Sequence, residues 1–192
     1  MIRLAIVGDI GSGKSYVAKQ FGYPVFNADN EVAKLYRKDK ECYAKLKKTL
    51  PSYITAFPVK KTKLFNAIMA NQNNLKKIVK IVHPKIRKKM NIFIKKNKNK
   101  KIIVLDIPLL LEKKINKKND VIIFVDANKK QIKKKLRKRD NFNPKIVKRL
   151  KKLQLSLETK KKKSDFVIKN NFKKNSTKKS VKVILKKILL NA

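Results

Sequence analysis

Acidic side chains are scarce in this sequence: 12 Asp and Glu stand against 54 Lys and Arg in 192 residues, a formal net charge of +42. Cysteine is almost missing, and the lone Cys42 excludes an intramolecular disulfide framework. A single histidine, His83, leaves no Cys/His set for a zinc knuckle. Four glycines and six prolines form no Gly/Ser- or Pro-rich linker, so the length predicts one domain with room for modest insertions. The most apolar run, residues 102–111, is too short to span a bilayer and contains Asp106. Strand-like residues begin at Arg3, which leaves no space for the charged and apolar regions of a signal peptide. These absences predict a reducing, cytoplasmic setting with no membrane association, and nothing in the chain calls for an obligate protein partner.

The basic excess has two readings. Taken alone it points to polyanions such as nucleic acid. Yet only six of the 54 basic residues are Arg, and the Lys are spread along the chain among many Asn and Ile, residues with A/T-only codons. Coding bias would load every tolerant surface position with Lys without making one basic stripe. Aromatic residues, the stacking platforms of single-strand binders, are only 7% and scattered. Compositional bias is the preferred reading, with no specific nucleic acid as partner. The run of Lys160 to Lys163 then reads as a solvated helix face or loop.

Five short β-branched or aromatic segments ended by polar residues read as buried strands: 4–7, 25–27, 102–106, 121–126 and 166–168. Helical periodicity separates them, which predicts an α/β fold with a parallel sheet of about five strands flanked by helices. Ligands bind such sheets at the carboxyl ends of the strands. Residues 31–90 contain no convincing strand but carry apolar residues at helical spacing, and read as a helical insertion. A second helix-only stretch covers 132–163, with Asn143 and Pro144 as N-cap and first-turn pair.

Gly8-Asp9-Ile10-Gly11-Ser12-Gly13-Lys14-Ser15 matches G-x-x-x-x-G-K-[ST] at every fixed position, between a predicted strand and a predicted helix. Small, flexible residues let backbone N–H groups close around phosphate oxygens. Gly11, Ser12, Gly13, Lys14, Ser15 and Tyr16 are therefore the candidate ATP-binding residues, with Lys14 a cation for the β- and γ-phosphates and the Ser15 hydroxyl a ligand for Mg²⁺. The loop fixes nucleotide binding and leaves the acceptor open. The short chain and the missing Asn-Lys-x-Asp string argue against helicases and guanine-specific GTPases, which leaves small P-loop kinases.

Beyond the loop the sequence resembles the dephospho-CoA kinase family along nearly its whole length. The resemblance rests on the loop; on Val25-Phe26-Asn27-Ala28-Asp29, similar to a strand ending in Asp-Ala-Asp; on His83-Pro84-Lys85-Ile86-Arg87; and on Asp106 to Glu112, similar to Pro-Leu-Leu-Phe-Glu. Arg139-Asp140, Arg149-Leu150, Gln154 and Ser164 to Asn170 resemble the family's lid and closing strand. It implies a P-loop kinase domain over residues 1–192, with a helical acceptor-binding insertion at about 31–90 and a lid at about 137–163. It also implies ATP and dephospho-CoA as partners, with Mg²⁺ accompanying ATP. Another P-loop nucleoside or nucleotide kinase, or a basic nucleic-acid-binding ATPase, are the alternatives; the first does not explain His83-Pro84 together with Pro108-Leu109-Leu110, and the second predicts a basic face with aromatic platforms where the aromatics here are scattered.

The resemblance assigns Asp29, Lys14 and Arg139 as catalytic residues and Asp29, Lys61, His83, Pro108 and Leu109 as acceptor contacts. Asp29 would accept or orient the acceptor hydroxyl proton, or else is a helix N-terminal acid. Asp106 either holds Mg²⁺ through water or caps its strand, and His83 is either an acceptor contact or a structural cap. Glu112 bonds backbone groups or faces water. At Lys160 the resemblance places a basic residue in contact with phosphate. Two departures matter: Asp9 stands where the family carries a second loop glycine, and Asn27 where it carries the first Asp of Asp-Ala-Asp.

Overall fold

In the computed structural model, which describes residues 1–139 and 142–190, five strands form one sheet. They are β1 (Ile2–Gly8), β2 (Val25–Asn27), β3 (Ile102–Asp106), β4 (Asp120–Asp126) and β5 (Phe166–Lys169). Their order is β2-β3-β1-β4-β5, and every neighbouring pair is parallel. The expected sheet is present, each strand matching its predicted segment to within two residues at either end. Parallel strands need crossovers, here supplied by helices except between β3 and β4, where residues 107–119 cross in turns. Around the sheet lie α1 (Lys14–Gln20), α6 (Lys129–Arg137), α8 (Leu157–Lys162) and α9 (Lys174–Leu190).

The strands read as unbroken apolar runs because both sheet faces are covered. On one face Leu4, Ile6, Ile102, Val104, Ile123, Val125 and Ile168 pack with Val17, Ala18 and Phe21 of α1 and Val181, Ile184 and Ile188 of α9. The alternate residues Ala5, Val7, Ile103, Leu105 and Phe124 are buried as well. Burying each large apolar side chain contributes about 1.5–3 kcal/mol. Register between β1 and β4 is pinned at its start by a buried ion pair between register partners: Arg3 Nη2 donates to Asp120 Oδ2 at 2.9 Å.

Contacts divide the chain into two compact units. The sheet unit holds residues 1–27, 96–142 and 151–192. The helical unit holds Ala28–Lys95 and Asn143–Leu150, which is to say α2 (Ala28–Lys38), α3 (Lys40–Thr49), α4 (Lys61–Ala70), nearly all of α5 (Gln72–Lys96) and most of α7 (Pro144–Lys151). Asp39 caps α3 by accepting from the Cys42 N–H, and Asn143 caps α7 by accepting from Lys145 and Ile146. Each such cap contributes about 1 kcal/mol. Pro84 lies inside the 25-residue α5 and not at its end. His83 is thus a mid-helix residue, and the capping alternative is excluded.

Candidate active site

Because all five strands run the same way, their carboxyl ends share one edge of the sheet. The loop leaving β1 closes over that edge. Gly8 and Gly13 hold it in shape: their φ values of 148° and 91° suit glycine. A Cβ at Gly8 would meet the Val125 carbonyl oxygen at 2.6 Å, and one at Gly13 would collide with the Asn170 amide. That amide is the loop's brace. Asn170, just past β5, donates from Nδ2 to the Ser12 carbonyl at 2.8 Å, while its Oδ1 accepts from Phe172 N and Thr177 Oγ1.

Lys14, the first residue of α1, donates from Nζ to the Asp9 carbonyl at 2.7 Å and to the Gly8 carbonyl at 3.3 Å. Ser12 is fully buried, and its hydroxyl has no hydrogen-bond partner among the described residues. The Asp9 side chain points back into the protein. Its Oδ1 accepts from the Ile10 N–H at 2.7 Å and its Oδ2 meets Lys151 Nζ at 2.8 Å. The carboxylate that stands in place of a loop glycine is therefore partnered on both oxygens.

The ends of β2 and β3 add a polar group beside α1. Asn27 and Asp106 are register partners, and the Asn27 amide donates to Asp106 Oδ2 and, at 3.1 Å, to Ser15 Oγ. One amide nitrogen thus brings a hydroxyl and a carboxylate oxygen together. Hard oxygen donors of this kind suit Mg²⁺, which keeps several waters and takes one or two protein ligands alongside phosphate. The fit is to that mode alone: no cluster of three or more His, Cys, Asp or Glu able to hold a metal occurs among the described residues.

The remaining sequence candidates are spread over several elements. Asp29 is exposed in the first turn of α2, two residues beyond Asn27. Lys61 opens α4, exposed, with Leu64 and Ile68 buried below it. Pro108 and Leu109 are half-buried in the turn after β3, and Tyr16 is partly exposed on α1. Arg139 is exposed just past α6, its N–H bonded to the Leu136 carbonyl; Asp140 lies outside the described residues.

Lys160 departs from the expectation of a solvated run. Its side chain is 1% exposed, and its ammonium meets Glu112 Oε1 at 2.9 Å and Gln154 Oε1 at 3.0 Å. The same Glu112 oxygen accepts from the Leu155 N–H at 3.0 Å. A charge that deep must be paired, so the ammonium is engaged by protein oxygens. Lys161, Lys162 and Lys163 are exposed, as expected.

A family model described as dephospho-CoA kinase matches residues 2–176. The chain belongs to the dephospho-CoA kinase family. It is 34% identical to the dephospho-CoA kinase of Wolbachia pipientis wMel over 98% of both chains. Among solved structures, TT1252 from Thermus thermophilus superposes with a TM-score of 0.74 at 26% identity, covering 99% of this chain and 97% of that one. The fold is shared with the dephospho-CoA kinase from Campylobacter jejuni, with a TM-score of 0.62 at 23% identity over 97% and 96% of the two chains. Membership makes the chain an ATP-dependent P-loop kinase. No helix among the described residues is long and apolar enough to cross a membrane.

Sequence alone does not mark Asn27, Lys151 or Asn170 as site residues. Asn27 had a signal, its place in the Asp-Ala-Asp-like string. Asn170 had a weaker one in the closing motif, and Lys151 had none, being one Lys among many 142 residues from its partner.

Proposed function

We propose that this chain transfers the γ-phosphoryl group of ATP to the ribose 3′-hydroxyl of dephospho-CoA, yielding coenzyme A and ADP. The observation that carries this reading is the phosphate loop closed over the strand ends beside the Ser15–Asn27–Asp106 group, in a chain of this family. Loop N–H groups and Lys14 hold the triphosphate, and Ser15 with Asp106 would hold Mg²⁺, the latter through water. Mg²⁺, when bound, neutralises charge on the phosphate oxygens. Asp29 orients the acceptor hydroxyl and takes its proton as the new O–P bond forms and the bond to the ADP oxygen breaks. Arg139, in a lid formed by about 137–163, offers a planar fork to the phosphoryl oxygens in transfer.

In the same reading Lys61, His83, Pro108 and Leu109 are the acceptor contacts that the family resemblance implies. The enzyme works in the cytoplasm with no obligate partner. A buried thiol suits a reducing compartment: burial and the Asp39 carboxylate push Cys42 up to about 11, which keeps it protonated. The test is Asp29→Asn, which should lower kcat by at least about 10²-fold while leaving the affinity for MgATP within about twofold. An unchanged kcat would return Asp29 to a helix-terminal acid and remove the proton acceptor from this scheme.

A further inference from the structure

Asp9 occupies a demanding position. A carboxylate within a loop that must take a polyanion opposes the ligand unless its charge is met, and the side chain is 9% exposed, so water meets little of it. Two lysines converge on this one residue. Lys14 donates to its carbonyl at 2.7 Å, and Lys151 pairs with its Oδ2 at 2.8 Å. The excess positive charge of the chain is no substitute, because exposed charges are screened beyond about 8 Å at physiological salt. Only a cation in contact cancels the carboxylate locally.

We propose that Lys151 belongs to the nucleotide site as a positioning residue: it neutralises Asp9 and thereby sets the affinity of the loop for MgATP. Lys151, the last residue of α7, is about half exposed, so its stem is free to hold the ammonium against Asp9 without a buried anchor. The ammonium acts through Asp9. Its removal leaves the Asp9 charge unneutralised in the loop, with Oδ1 still accepting from the Ile10 N–H, and removal of both charges restores a neutral loop. The pair rests on the nucleotide-binding reading above and adds a determinant of affinity that a loop without this carboxylate would not need.

Calorimetric titration with MgATP alone, without acceptor, tests it on the full-length protein. The variants are Lys151→Gln, Lys151→Arg, Asp9→Asn and the double Asp9→Asn/Lys151→Gln. Asp9→Asn keeps an oxygen for the Ile10 N–H, so the loop retains its local bond. Lys151→Gln should weaken MgATP by about five- to tenfold, and less in high salt, while Lys151→Arg stays within about twofold. Asp9→Asn should bind more tightly than wild type, and the double variant should regain most of what Lys151→Gln lost. Equal affinity of Lys151→Gln and wild type overturns the proposal. So does a double variant as weak as Lys151→Gln, since Lys151 would then act on the phosphates directly. Wild-type protein that fails to bind MgATP would overturn the kinase reading as well, which separates the two failures.

Discussion

Removing the ammonium of Lys160 strands the Glu112 carboxylate inside the sheet unit. Glu112 is 7% exposed and would keep, among the described residues, the Leu155 N–H. Breaking one partner of a buried pair costs about 3–5 kcal/mol. At about 2–4 °C per kcal/mol for a chain of this size, Lys160→Met should lower the melting midpoint by about 10 °C. Adding Glu112→Gln should recover more than half of that loss, because Gln still accepts from Leu155. A Lys160→Met midpoint equal to wild type would mean that the pair is hydrated in solution. Lys14→Ala should behave oppositely. Its Nζ donates to the loop carbonyls of Gly8 and Asp9 and lies outside the apolar core, so melting should stay within about 2 °C while phosphoryl transfer falls by at least about 10²-fold. Normal turnover would take the loop out of the mechanism. These two lysines also mark how far single residues are legible. Lys14 stands in a local pattern of eight residues, whereas Lys160 sits in a lysine run that looks solvated until its distant partners are known.

At the scale of elements, α3 and α5 are joined by a charge cluster with a defined pH response. Lys85 of α5 meets Glu41 Oε2 at 2.7 Å and the Asp39 cap at 3.1 Å. Hydrogen bonds from Lys45 and Lys85 hold Glu41 down at about 2. Burial raises Asp39, but the bonds from Cys42 and Lys85 outweigh it and leave the carboxyl below its ordinary value. Burial lowers Lys85, and Glu41 and Asp39 outweigh that in turn, raising it. A depressed carboxyl stabilises above its unfolded value, here 4.5 for Glu41, and the gain is lost as pH falls toward about 2. A raised Lys stabilises below its unfolded 10.5, and that gain is lost as pH rises beyond it. Lys85→Gln should therefore lower the melting midpoint by about 2–4 °C between about pH 6 and 9, with the gap to wild type closing toward pH 2. A gap that stays constant down to pH 2 would assign the loss to packing. The sheet strands were the most legible elements, since burial on both faces writes them as runs such as Ile102 to Leu105. The 31–90 insertion was legible as helical but not as separate helices, and nothing local shows that Pro84 is carried inside the 25-residue α5. Pairings across long separations, Asp9 with Lys151 and Asn170 with Ser12, leave no periodic trace, which is why part of the site emerged only from the fold.

For the whole molecule, the charge of +42 carries no structure of its own in this account. Three of the four lysines from 160 to 163 are exposed, and Lys161, Lys162 and Lys163 should be replaceable together by Gln with kcat for dephospho-CoA changed less than about twofold. Binding to random DNA or RNA should be unselective and should collapse between about 50 and 200 mM salt, by about 10³-fold or more if six to ten phosphates are contacted. Sequence-selective binding that survives the higher salt would give the charge a function. The central claim is the acceptor, and a substrate panel with purified protein, ATP and Mg²⁺ tests it most directly, read as ADP formed and as the phosphorylated product. The account predicts stoichiometric conversion of dephospho-CoA to coenzyme A with phosphate on the ribose 3′-oxygen, and at most trace turnover with shikimate, nucleosides or nucleoside monophosphates. Turnover of one of those acceptors at a higher kcat/KM, or ATP hydrolysis stimulated by nucleic acid and not by dephospho-CoA, would contradict it.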